Sequence, residues 1–113
     1  MSSVRSLAPT FLDLYSRGEV AADRISDFIG EWHESDDTEE RSLAAYLGLT
    51  DEEYDVWLMD TDTLPVLLSA RRTGRHLHDV VADYLADLQR KARPEDRSSI
   101  YALGHWLRGQ AGH

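Results

Sequence analysis

Six apolar residues between positions 77 and 88 limit most strongly what this chain can fold into. Leu77, Val80, Val81, Tyr84, Leu85 and Leu88 recur at spacings of one, three and four. A helix of about 3.6 residues per turn gathers them on one face, whereas a strand would scatter them over both. The same periodicity recurs upstream and downstream. Ile25, Phe28, Ile29 and Trp32 form a stripe in a helix expected from about Ala21 to His33, and Ile100, Leu103, Trp106 and Leu107 form another. Strand signals are nearly absent: no run alternates with β-branched or aromatic residues, and there is no Asn-Gly or Asp-Gly turn.

Punctuation between the stripes sets the helix count. Thr10 and Asp13 have the spacing of a capping box ahead of Phe11, Leu14 and Tyr15, and Gly18 ends that helix. A third, short helix is expected to start at or near Thr38 and to stop at Gly48 in a left-handed conformation. Thr50 and Glu53 form a second capping box, for a helix over 51–59. Pro65 suits the first turn of a fifth helix through about Arg72, with Gly74 as its stop or a kink. Pro94, Glu95 and Asp96 open the last helix, and the tail GQAGH is expected to fray. At 113 residues and 42% apolar content, the expectation is an all-α fold: a single domain over 1–113, a compact bundle of six or seven short helices.

The segment 43–58, LAAYLGLTDEEYDVWL, has the spacing of a helix-turn-helix. Ala44 is small where two helices would approach, Gly48 supplies the turn, Leu43, Leu47 and Leu49 supply packing, and Tyr54 and Trp57 sit on the second helix. An ordinary helical hairpin fits the same spacing. In a DNA reader the second helix enters the major groove and is basic or polar. Here it carries Asp51, Glu52, Glu53 and Asp55, which duplex phosphates would repel.

Charge sharpens that conflict. The net charge is −9, yet residues 1–62 hold 16 acids and 4 bases while residues 63–113 hold 5 acids and 8 bases. Within 31–62 there are 12 acids and one base, Arg41. Such a segment is either a solvated, solubilising face or a docking face for a basic partner, and it disfavours phosphate binding. No cysteine is present, which excludes disulfides and thiolate metal sites and fits a reducing compartment. The N-terminus lacks a continuous apolar h-region, and no apolar run approaches the roughly 20 residues of a membrane span. A cytoplasmic protein with no membrane contact is expected.

The segment LAAYLGLTDEEYDVWL followed by DTDTLPVLLSARR, with LYSRGEVAADRISDFIGEWHE upstream, resembles small acidic bacterial proteins of helix-turn-helix-like type over about residues 11–72. The resemblance implies toxin-neutralising proteins (antitoxins) and phage or plasmid accessory proteins. The acidic second helix departs from helix-turn-helix regulators.

Other constellations carry less. His76, His78 and Asp79 lack the i, i+4 spacing of helical metal ligands, and His33 sits at a helix end where the dipole favours it. Arg71, Arg72 and Arg75 form one basic cluster, and Arg90, Lys91, Arg93 and Arg97 another. They serve either as partners of helix ends and acids or as phosphate contacts. No nucleophile elbow, P-loop or dinucleotide fingerprint is present, and the carboxylates lack apolar surroundings that would raise a pKa. No enzyme activity, cofactor or metal is expected.

Three readings follow. The favoured one is an antitoxin-like interaction protein that binds a basic protein partner. Glu39, Glu40, Asp51, Glu52, Glu53 and Asp55 would steer the partner, with Glu52 and Glu53 facing water, and Trp57, Leu58 or Met59 would be the buried anchor. Those last three cannot all face one core, because successive helical residues point about 100° apart. The alternatives are a helix-turn-helix transcriptional regulator touching DNA through Arg71, Arg72 and Arg75, and a homo-oligomeric structural module.

Overall fold

The computed structural model describes residues 9–35 and 39–111. Among them there is no strand, and seven α-helices follow one another: α1 (Phe11–Ser16), α2 (Ile25–Ser35), α3 (Leu43–Leu47), α4 (Asp51–Met59), α5 (Leu64–Thr73), α6 (Leu77–Lys91) and α7 (Arg97–Ala111). The all-α class expected from the periodicity is the class observed. Single 3₁₀ turns at Ala22–Arg24, Thr61–Thr63 and Pro94–Asp96 lead into α2, α5 and α7. The chain divides into two compact units, Met1–Glu52 and Glu53–His113.

In the first unit α2 and α1 both pack on α3. Thr10 caps α1 as a complete capping box: its Oγ1 accepts from the Asp13 N–H at 3.2 Å, and Asp13 Oδ2 accepts from the Thr10 N–H at 3.0 Å. Phe11 is fully buried, edge-on to Phe28 with ring centroids 5.4 Å apart. Leu12, Ile25, Ala44, Leu47 and Leu49 are also buried. Gly48 ends α3 at φ 90°, the left-handed conformation the sequence predicted, and the Leu49 N–H closes the motif on the Ala44 carbonyl. Glycine is needed here for a second reason. A Cβ at position 48 would lie 2.3 Å from Thr10 Oγ1, so the end of α3 sits directly on the cap of α1.

The third helix starts later than the sequence suggested. Thr38 lies outside the described residues, and α3 begins only at Leu43. The cause is local. Glu39 Oε2 accepts from the backbone N–H and the Nε of Arg41, both at 2.9 Å, which holds 39–41 in a non-helical turn. Ser42, extended at ψ 164°, then caps α3 by accepting from the Ala45 N–H at 3.2 Å.

In the second unit α5 packs on α6, and α6 packs on α7. Of the α6 stripe, Val80, Val81, Leu85 and Leu88 are buried, and Leu77 and Tyr84 are partly covered. Leu64, Leu67 and Ala70 from α5 and Leu103 and Trp106 from α7 are buried too. Each large apolar side chain removed from water here stabilises the fold by about 1.5–3 kcal/mol. Gly74, left-handed at φ 72°, terminates α5 outright rather than kinking it. No helix of the described residues is long and apolar enough to cross a membrane.

Candidate interaction surface

The helix α4 carries most of the residues singled out by the sequence, and its periodicity sorts them onto two sides. At about 100° per residue, Asp51, Glu52, Asp55 and Leu58 fall within one third of the circumference, with Met59 inside the same arc, while Glu53 lies opposite and Val56 lies between Glu53 and Glu52. The structure follows this division. Asp51, Glu52 and Asp55 are exposed, and Leu58 is 57% exposed, whereas Val56 is fully buried and Glu53 is 7% exposed. Among the described residues, no ion pair engages Asp51, Glu52 or Asp55. Trp57 and Met59 are half-buried, with Trp57 stacked on Tyr54 at 6.0 Å between ring centroids. Leu58 is therefore the member of the Trp57–Leu58–Met59 trio that points into solvent.

Glu53 does not face water, contrary to the sequence expectation. Arg71 on α5 reaches it with two donors, Nε to Oε2 at 2.9 Å and Nη2 to Oε1. The Glu53 side chain is 9% exposed and that of Arg71 is 42% exposed. A bidentate pair of this kind satisfies both carboxylate oxygens as the group leaves water. A guanidinium 18 residues away thus reaches the carboxylate that spacing pairs with Thr50. Glu53 belongs to the frame of the second unit and is no part of a steering surface.

The remaining acids of the expected surface lie before α3 in the first unit. Glu40 is exposed, while Glu39 is half-buried and bound to Arg41. That bond holds the Glu39 carboxyl down at about 2, chiefly through the side-chain hydrogen bond from Arg41 and then through the Arg41 backbone N–H. Arg41 also lies over the Tyr46 ring at 5.1 Å, and its carbonyl accepts from Trp32 Nε1 at 2.9 Å. Tyr46 in turn donates to Glu31 at 3.2 Å. The one base of the acidic segment is spent on tying the first unit together, and Glu39 with it.

The basic cluster proposed for DNA is also engaged. Arg71 holds Glu53, and Arg75 Nη2 donates to Asp83 at 2.9 Å. Arg72 is exposed. The Arg75–Asp83 pair stands at the rim of an open groove of about 380 Å³ between α5 and α6, floored by Val66, Val80 and Tyr84. Tyr84 donates to Asp60 Oδ2 at 2.8 Å, and burial, followed by that bond, raises its pKa. Asp60 Oδ1 meanwhile accepts from the Asp62 N–H at 2.9 Å. His78 packs against Trp106 at 6.4 Å, and no cluster of three metal-ligating side chains occurs among the described residues.

Sequence reasoning missed one surface. On α7 the residues Arg97, Tyr101, His105 and Arg108 are all exposed, Tyr101 to 74%. Their spacing of four, four and three was the available signal. The basic cluster 90–97 drew attention away from it, although Arg90 and Arg93 are engaged by Asp87 and Asp96. Comparison of the chain with family models, with curated proteins and with solved structures gives no match.

Proposed function

We propose that this chain is a protein–protein interaction module that docks a basic partner on the outward face of α4, in the manner of an antitoxin. One observation carries the reading: Asp51, Glu52 and Asp55 stand exposed without ion pairs on the same side of α4 as Leu58, an apolar side chain left in water. Three carboxylates within two turns attract a cationic surface before contact and raise the rate of encounter. Leu58, and the edge of Trp57 beside it, then supply apolar area to bury, with the charges as a polar rim. Glu53 takes no part, because Arg71 holds it.

The test uses a defined probe, a cationic amphipathic helical peptide of Arg and Leu, with its Glu counterpart as control. Fluorescence anisotropy against the full chain should show binding of the cationic peptide that weakens steeply with salt. The variant Asp51→Lys/Asp55→Lys should lower affinity by about tenfold or more, as expected when two rim charges are reversed. Equal binding by the variant, or preference for the Glu peptide, would refute the reading. Retardation of a duplex DNA fragment, lost in Arg72→Ala and falling with salt, would instead favour the regulator alternative.

A further inference from the structure

The outward stripe of α7 is a second docking surface. We infer that its occupant is the α4 face of another copy of this chain, so that copies join head to tail. The inference rests on the α4 reading above and names its partner.

Two independent features point the same way. The first is the chemistry of the stripe. Arg97, Tyr101, His105 and Arg108 project within about 80° of one another on a 15-residue helix. Among the described residues neither Arg97 nor Arg108 has a carboxylate partner. Leu58 and Tyr101 are the exposed large hydrophobic residues of the described chain, at 57% and 74%, and one sits on each face. Each face therefore carries one exposed apolar side chain and charges of one sign, acids on α4 and the arginines Arg97 and Arg108 on α7.

The second feature is register. From Leu58 back to Asp51 is seven residues, and from Tyr101 on to Arg108 is also seven. At about 1.5 Å per residue, each charge stands roughly 10.5 Å along its helix from its apolar anchor. If Leu58 is set against Tyr101 with the helices antiparallel, Asp51 meets Arg108. Asp55, about 4.5 Å from Leu58, meets His105, about 6 Å from Tyr101. Glu52 falls beside the same Arg108. The antiparallel arrangement also places the positive end of the α4 dipole near the negative end of α7. The two patches differ, so the contact is heterologous: each copy offers its α4 to one neighbour and its α7 to another, and assembly proceeds to rings or open chains.

Sedimentation equilibrium of the full chain tests this with charge exchange. The wild type should show a mass that rises with concentration at low salt and falls back to monomer at about 1 M salt, where the Debye length is about 3 Å. Asp51→Arg and Arg108→Glu should each weaken association about tenfold, and Tyr101→Ser should do so with helical circular dichroism unchanged. Asp51→Arg mixed with Arg108→Glu should associate again, because each then offers the other a complementary face. The doubly exchanged chain, D51R/R108E, should associate by itself. A monomeric wild type at low salt, or failure of both the mixture and the double exchange to recover, would overturn the inference. If the cationic peptide still binds α4 while the chain stays monomeric, the α4 reading survives and only the α7 partner is wrong. Binding of duplex DNA or anionic vesicles by the monomer, lost in Arg108→Glu, would assign α7 to a polyanion and likewise overturn it.

Discussion

Glu52 and Glu53 are adjacent and chemically identical, and the structure predicts opposite consequences for the same substitution. Glu52 is exposed near the start of α4, so Glu52→Lys removes a favourable acid from the positive end of the helix dipole and costs about 1 kcal/mol at most. Glu53 is 7% exposed and accepts two bonds from Arg71. Breaking a fully buried pair costs about 3–5 kcal/mol. Here Arg71 is 42% exposed and can turn toward water, which places Glu53→Lys at about 3 kcal/mol, the low end of that range. With a urea slope of about 2 kcal/mol per molar, the midpoint should fall by about 1.5 M for Glu53→Lys and by no more than about 0.5 M for Glu52→Lys. The exchanged pair E53K/R71E should recover at least about 1 kcal/mol, read as coupling in a double-mutant cycle. Equal midpoint shifts for the two lysine variants, or strictly additive effects in the cycle, would refute the assignment of Glu53 to the frame.

Three further outcomes are expected. Gly48→Ala should destabilise the first unit by about 2 kcal/mol or more, since it combines a left-handed backbone with a Cβ driven into Thr10; a thermal shift within error would contradict the contact. Tyr84→Phe should cost about 1–2 kcal/mol by removing the donor to Asp60 Oδ2, measured as a loss in denaturant midpoint at constant slope. The Glu39 carboxyl should stay ionised down to about pH 2 by NMR titration and return toward 4.5 in Arg41→Ala. Because its folded pKa is depressed, the contribution of the Glu39–Arg41 pair is complete above the unfolded value near 4.5 and is lost as pH falls toward 2.

What local pattern encodes was legible in the sequence, and what depends on distant partners was not. The Thr10–Asp13 box, the left-handed Gly48, the Pro65 start and the α6 stripe all follow from residues within a turn or two of one another. Glu53 could not be read this way. A local window shows nothing of the guanidinium 18 residues away that binds its carboxylate. The late start of α3 escaped for a different reason. The acids at 39 and 40 suit a helix N-terminus, but the Glu39 side chain closes onto the Arg41 backbone and leaves Ser42 to act as the cap. Of the candidate surface, Asp51, Glu52, Asp55 and Leu58 stand exposed where the helical wheel puts them. The α7 stripe shows in the sequence only as a spacing of four, four and three, and the exposure of Tyr101 is what marks it as an outward face.

Pairing, rather than net charge, decides what kind of surface this chain presents. A value of −9 suggests uniform acidity. Yet Arg17, Arg24, Arg41, Arg71, Arg75, Arg90, Lys91 and Arg93 each hold a carboxylate, within about a helical turn for most of them and 18 residues away for Arg71. Exposed pairs of this sort contribute little to stability, about 0–1 kcal/mol each, but they cancel one another's field. Among the described charges outside these pairs are the acids Asp51, Glu52 and Asp55 on the outer face of α4 and the arginines Arg97 and Arg108 on the outer face of α7. Each of these two helix faces also carries an apolar side chain in water, Leu58 on α4 and Tyr101 on α7. Salt should act on docking at the proposed faces far more than on folding, because Glu53 of the Glu53–Arg71 pair lies largely out of water while the unpaired charges lie in it.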